Sequence, residues 1–162
     1  MKRMTAVLSV AAALVLSASL MAQAKPNFSG KWTIDAEKTA AANPAMAGGG
    51  GGGRMGGGGG GMAAPMTITM DATMLKTEQT MGENTMTSTY KLDGSESKNM
   101  AMGRGGQTEQ VSKATVEGNK VVIKTTTANG EQVSSWYMDG DWLVRERTTQ
   151  NGAQKTYYKK AS

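Results

Sequence analysis

The sequence has no cysteine and no histidine, only three prolines and a single phenylalanine. Without Cys there is no disulfide, no thiolate nucleophile and no thiol for lipid attachment. Without His there is no imidazole general base, and zinc-finger or haem-type ligation loses its usual donors. Most common hydrolytic machinery is thereby excluded. An excess of one charge sign is also lacking: 18 Lys and Arg stand against 13 Asp and Glu, a net +5 that is too mild for a nucleic-acid footprint. What is plentiful is glycine, with 22 residues, and methionine, with 14. Part of the chain therefore cannot pack, and the rest relies on Val, Ile, Leu, Met, three Trp and four Tyr.

The first two dozen residues read as an export signal. Lys2 and Arg3 form a positive start, Ala6 to Leu16 is apolar except for Ser9, and Ala22-Gln23-Ala24 supplies a small-x-small cleavage pattern. Ser17, Ser19 and Pro26 shorten the run below what a membrane-spanning helix needs. Cleavage is expected after Ala24, leaving 25–162 as one periplasmic or secreted domain with no stable membrane anchor. A monomer is expected. With no disulfide available in an oxidising compartment, its stability has to come from sheet packing.

The stretch 43–65 holds Gly48 to Gly53 and Gly56 to Gly61 around Arg54-Met55, and is expected to be a disordered loop inside the domain. Its side chains bury too little to offset roughly 1–2 kcal/mol of backbone entropy per residue. A second loop is expected from Lys98 to Gly106. The remainder reads as strands, rich in Thr, Val, Tyr and Trp: Asn27 to Asp35, Met66 to Asp71, Met74 to Met81, Thr85 to Leu92, Thr108 to Glu117, Lys120 to Thr127, Glu131 to Met138, Asp141 to Gln150 and Ala153 to Lys159. Only Asp35 to Ala42, capped by Asp35, suggests a short helix.

Asn129-Gly130, Asp139-Gly140 and Asn151-Gly152 are two-residue hairpin signals, with Gly118-Asn119 and Asp93-Gly94 as weaker versions. Successive hairpins without room for crossover helices make an antiparallel meander, and closing eight or nine strands into an all-β, up-and-down barrel removes the exposed edges. Register taken through the three turns sets Ile123 opposite Trp136, Trp136 opposite Leu143, and Arg145 opposite Tyr158. One face then carries Val121, Ile123, Trp136, Met138, Leu143, Arg145, Arg147 and Tyr158. The other carries Val122, Lys124, Val133, Tyr137, Trp142, Val144, Glu146, Tyr157 and Lys159. The first face is expected inside, because the second mixes charges as a solvated surface does.

Pro26-Asn27-Phe28-Ser29-Gly30-Lys31-Trp32-Thr33-Ile34-Asp35, followed by Ala36-Glu37-Lys38-Thr39, resembles the opening of bacterial exported lipocalin-like proteins, N-F-S-G-x-W-x-x-D-x-x-K-S/T. Trp136 to Leu143 and the terminal Tyr157-Tyr158-Lys159-Lys160 are similar to the far end of that group. The resemblance implies a calycin-type barrel whose end is closed by Gly30 and Trp32, with a basic side chain crossing the Trp face. Arg145 is the expected cation, ahead of Arg147, Lys159 and Lys160. The long glycine tract departs from a compact lipocalin.

No glycine tract is followed by the Lys and Ser/Thr of a phosphate loop, and the single Arg104-Gly105-Gly106 is no RNA-binding array. The carboxylates sit in turns or alternate with polar strand residues, so no acid–base pair is identifiable and no enzyme is expected. No cofactor is expected. Methionine offers soft thioethers, and Met62, Met66, Met100 and Met102 are the set considered for Cu(I), against the ordinary use of Met as packing. The face carrying Ile123, Trp136, Leu143, Arg145, Arg147 and Tyr158 is the candidate lining for a small hydrophobic or amphipathic ligand: apolar walls with guanidinium groups for an acidic head. The alternative is a self-filled barrel with arginines at its rim, serving as a structural or interaction protein of the cell envelope.

Overall fold

The computed structural model describes residues 25–44, 64–103, 106–127, 130–149 and 152–161. The expected export segment and residues 45–63 of the glycine-rich stretch lie outside them. The elements are β1 (Gly30–Ile34), α1 (Ala36–Ala42), β2 (Met66–Met70), β3 (Met74–Met81), β4 (Asn84–Lys91), β5 (Asp93–Gly103), β6 (Gly106–Glu117), β7 (Lys120–Thr127), β8 (Gly130–Asp139), β9 (Trp142–Thr149) and β10 (Gly152–Lys160). All paired neighbours are antiparallel, in the order β4-β3-β2-β1-β10-β9-β8-β7-β6-β5. The outermost strands, β4 and β5, are consecutive in sequence and lie against each other. The sheet therefore curls into a nearly closed barrel, and side chains make the last seam. Asn99 donates from Nδ2 to the Thr89 carbonyl (3.0 Å) and accepts the Thr89 N–H (2.7 Å), while Ser97 Oγ accepts the Lys91 N–H (2.9 Å).

There are ten strands where eight or nine are expected, because most of the second expected loop is strand: Lys98 to Gly103 belong to β5 and Gly106 opens β6. The reversal of the usual polarity hides this strand in the sequence. Ser97, Asn99 and Ala101 share the inner face, while Met100 and Met102 point out and are among the most exposed large apolar side chains described. Asp93-Gly94 also departs from expectation. It opens β5 instead of closing a hairpin, with a register shift between Asp93 and Glu96, and Asp93 Oδ1 accepts both the N–H and the hydroxyl of Ser95.

The expected hairpins form, but the pairs are shifted by two residues. Val121, not Ile123, faces Trp136; Arg145, not Leu143, is the partner of Trp136; and Leu143, not Arg145, faces Tyr158. Gly130 (φ +104°) and Gly152 (φ +102°) spend their positive φ as the first residues of the incoming strands, paired with Thr127 and Thr149. At the third hairpin Asp139 pairs with Trp142, so Gly140-Asp141 is the loop. A two-residue slip preserves side-chain parity. The same set therefore stays on one face, and that face is inward: Val121, Ile123, Trp136, Leu143 and Tyr158 all belong to the buried core.

Phe28, Trp32, Ile68, Met70, Leu75 and Leu92 complete that core at the end where the chain enters. Outside the barrel, α1 lies on β10. Asp35 caps it by accepting the Lys38 N–H at 3.1 Å, and Thr39 Oγ1 accepts the Tyr157 N–H at 2.9 Å. Asn43, expected to begin the unstructured loop, is instead buried. Its side chain donates to the carbonyls of Thr39 (2.6 Å) and Lys155 (2.7 Å) and accepts the Lys155 N–H (3.0 Å). Tyr157 is buried beneath the helix and its cross-strand partner Val144 beside it, which accounts for apolar residues on the face expected to be solvated.

Candidate functional site

Period-two alternation, anchored by the buried positions, fixes what each strand turns toward the interior. Towards the chain-entry end these are large apolar residues. Towards the opposite end they become mostly polar, with Thr77 and Gln79 on β3, Ser88 on β4, Asn99 on β5, Gln132 and Ser134 on β8, and Gln154 and Thr156 on β10, while Met81 and Met86 are half-buried apolar members of the same face. Between the two zones β9 contributes Arg145 and Arg147. No inward position of any strand carries Asp or Glu: all 13 acids lie in turns, on α1 or its cap, or on the outer face. The barrel interior thus holds fixed positive charge with no carboxylate of its own.

Arg145 lies with its guanidinium carbon 5.3 Å from the Trp136 ring centroid, and Trp136 stacks on Tyr158 at 6.3 Å with the planes 11° apart. Arg145 Nε and Trp136 Nε1 are both buried without a hydrogen-bonding partner. Buried donors left unpaired are uncommon and mark sites where a ligand or water completes the bonding. Arg147 is half-buried between Ser134 on β8 and Gln154 on β10. Burial, and then the neighbouring charge of Arg145, lower the pKa of Arg147 from the ordinary guanidinium value, with Tyr158 and Tyr90 opposing the shift. Two like charges sharing a partly desolvated space attract a counter-ion, and paired guanidiniums match the forked geometry of a carboxylate or phosphate. The described ion pairs are all Lys–Glu pairs at or near the outer surface, and none uses either arginine.

The six lining residues named from sequence do gather on one inner wall, in two groups. Ile123, Leu143 and Tyr158 are buried in packing, as is the ring of Trp136, whereas Arg145 and Arg147 keep part of their surface open. Trp32 is 1% exposed and donates from Nε1 to the Phe28 carbonyl at 2.9 Å. Gly30, at φ +142°, has the indole 3.6 Å and the Lys160 side chain 3.7 Å from where a Cβ would stand. The cation over Trp32 is Lys160, 5.8 Å from its centroid, and not Arg145. Lys160 pairs with Trp32 across the β1–β10 ladder, and the corrected register commits Arg145 to Trp136. Of the methionines considered for Cu(I), Met66 is buried in the core, Met100 and Met102 point outward, so these three do not converge, and Met62 lies outside the described residues.

Sequence reasoning did not single out Gln132, Ser134, Gln154 and Thr156, which flank the arginines. Their signal was the register itself, since residues two apart from Trp136 and Tyr158 share their face, but polar residues in strands are ordinarily assigned to solvent.

No family model and no curated protein matches the chain. Solved structures do. The barrel is similar to the REP1-NXSQ fatty acid transporter (12% identity, TM-score 0.56, covering 83% of this chain and 96% of that one). It is also similar to the fluorescent protein UnaG (16%, 0.55, 83% and 97%) and to lipid binding protein 8 of Caenorhabditis elegans (11%, 0.52, 83% and 95%). The likeness at these identities is one of fold: a nearly closed antiparallel barrel.

Proposed function

We propose that this protein is an exported, non-catalytic barrel that binds a small amphipathic anion inside the barrel, its acidic group held by Arg145 and Arg147 and its apolar part against the exposed edges of the core near Trp136 and Tyr90. The observation that carries the reading is the charge of the interior: two inward guanidiniums and no inward carboxylate. Solved proteins of the same fold whose names declare fatty-acid transport or lipid binding support it. The export segment 1–24, cleaved after Ala24, supports a periplasmic or secreted location, and the N-terminus of the protein purified from culture tests it: Lys25 is expected as the first residue, and an intact Met1 contradicts export.

Binding is tested with anilinonaphthalene sulfonate, an anionic amphiphile that fluoresces on leaving water. One site per barrel is expected, weakened at least about tenfold, some 1.4 kcal/mol, in an Arg145→Met, Arg147→Met double variant. Unchanged binding in that variant would place the probe elsewhere and end the assignment.

A further inference from the structure

Much of the apolar surface inside this barrel is already used. Phe28, Trp32, Leu75, Val121 and Leu143 are at most 1% exposed within one buried cluster and offer no surface of their own to an acyl chain. Around the arginines the neighbouring inward side chains are polar. Arg147 has Ser134 and Gln154 as its cross-strand neighbours, Arg145 has Thr156, and Gln132 is the next inward position on β8. The side chains of Gln132, Ser134, Gln154 and Thr156 carry amide and hydroxyl groups that need a hydrogen-bonding partner in whatever lies against them. An alkyl chain laid along them would strip their water and return nothing.

We infer that the ligand is a polyhydroxylated anion, an acidic saccharide bearing a short apolar group, and not a fatty acid; the inference rests on the anion-binding reading above. A primary amide both donates and accepts, which is what a sugar hydroxyl also does, so Gln132 and Gln154 can each satisfy hydroxyls in either sense. Ser134 and Thr156 add two rotatable hydroxyls between them. The guanidiniums take the carboxylate or phosphate in a forked pair of bonds. The half-buried Tyr90, facing the interior from β4 as the partner of Leu75, offers an aromatic face for the C–H side of a sugar ring.

Isothermal titration of the full mature chain with three probes separates the possibilities: octyl glucuronide carries hydroxyls and charge, decanoate charge alone, octyl glucoside hydroxyls alone. The glucuronide is expected to bind at least about tenfold more tightly than either of the others, because a site built to hydrogen-bond hydroxyls discriminates strongly against a ligand lacking them. Gln132→Leu and Gln154→Leu should weaken the glucuronide and leave decanoate unchanged or strengthened, and retained decanoate binding shows that the variants are folded. Decanoate binding as tightly as the glucuronide overturns the saccharide inference while sparing the anion site. Glucoside matching the glucuronide, or no probe binding at all, overturns both.

Discussion

Trp32 is fixed from three sides: its indole N–H donates to Phe28, its ring fills the chain-entry end of the core, and Lys160 crosses its face. Trp32→Ala should cost about 3–5 kcal/mol, the scale for deleting a large buried aromatic. Lys160 reaches over the ring from an exposed position, so Lys160→Ala should cost only about 0.5–1 kcal/mol, most of it lost once Trp32 is Ala. Arg145→Ala and Trp32→Ala should be additive within about 0.5 kcal/mol in urea unfolding, since Arg145 stands over Trp136. Coupling to Arg145 with none to Lys160 would contradict the register. Arg147 behaves differently. Its charge is partly desolvated and faces another cation, so Arg147→Met should leave thermal stability equal or raised while binding falls, as expected of a group kept for function. At the helix cap, the Lys38 N–H and then the Trp142 indole N–H lower the pKa of Asp35 below 3.8. A carboxyl with a depressed folded pKa contributes stability above its unfolded value, and that contribution is lost as pH falls through the folded one. Asp35→Ala should therefore lower Tm at neutral pH, with the difference from wild type shrinking as pH drops well below 3.8.

At the scale of elements, the strands were legible and their joins less so. Met74–Met81 and Lys120–Thr127 fall where β-branched density and flanking turns put them, because both signals are local. The hairpin pairs are each displaced because Asn-Gly and Asp-Gly mark a reversal without saying whether the glycine is the last turn residue or the first strand residue. β5 escaped because its inner face is small and polar and its outer face carries Met100 and Met102, the inverse of the pattern that reveals a half-buried strand. That strand also carries the closure of the barrel. Asn99 stands in for a missing backbone ladder by satisfying both the N–H and the carbonyl of Thr89. Asn99→Ala should cost about 1–3 kcal/mol, the penalty of leaving those groups unpaired. Hydrogen exchange at Thr89 should accelerate while the β7–β8 amides stay protected at the subglobal level. Uniform acceleration across the barrel would mean that the seam is not a separate weak point.

For the whole molecule, the class of fold followed from hairpin succession and the need to hide sheet edges, whereas the chemistry of the interior needed the three-dimensional register. Arg145 and Arg147 share a face with Trp136 by parity alone, which is why the wall proposed to hold an anion could be named from sequence. That no carboxylate reaches the inside emerges only when ten strands are closed and every acid is seen to point out or lie in a turn. The chain-wide charge, a mild +5, conceals this segregation of positive charge inward. The account stands or falls on whether the interior selects anions. The measurement is calorimetric titration of the mature protein with decanoate and with decylamine, ligands of equal chain length and opposite charge at neutral pH. Decanoate is expected to bind at one site per barrel, through its carboxylate and more weakly than a polyhydroxylated anion, and to be lost in the Arg145→Met, Arg147→Met variant, while decylamine does not bind; decylamine binding as well as decanoate would contradict an anion-selective interior.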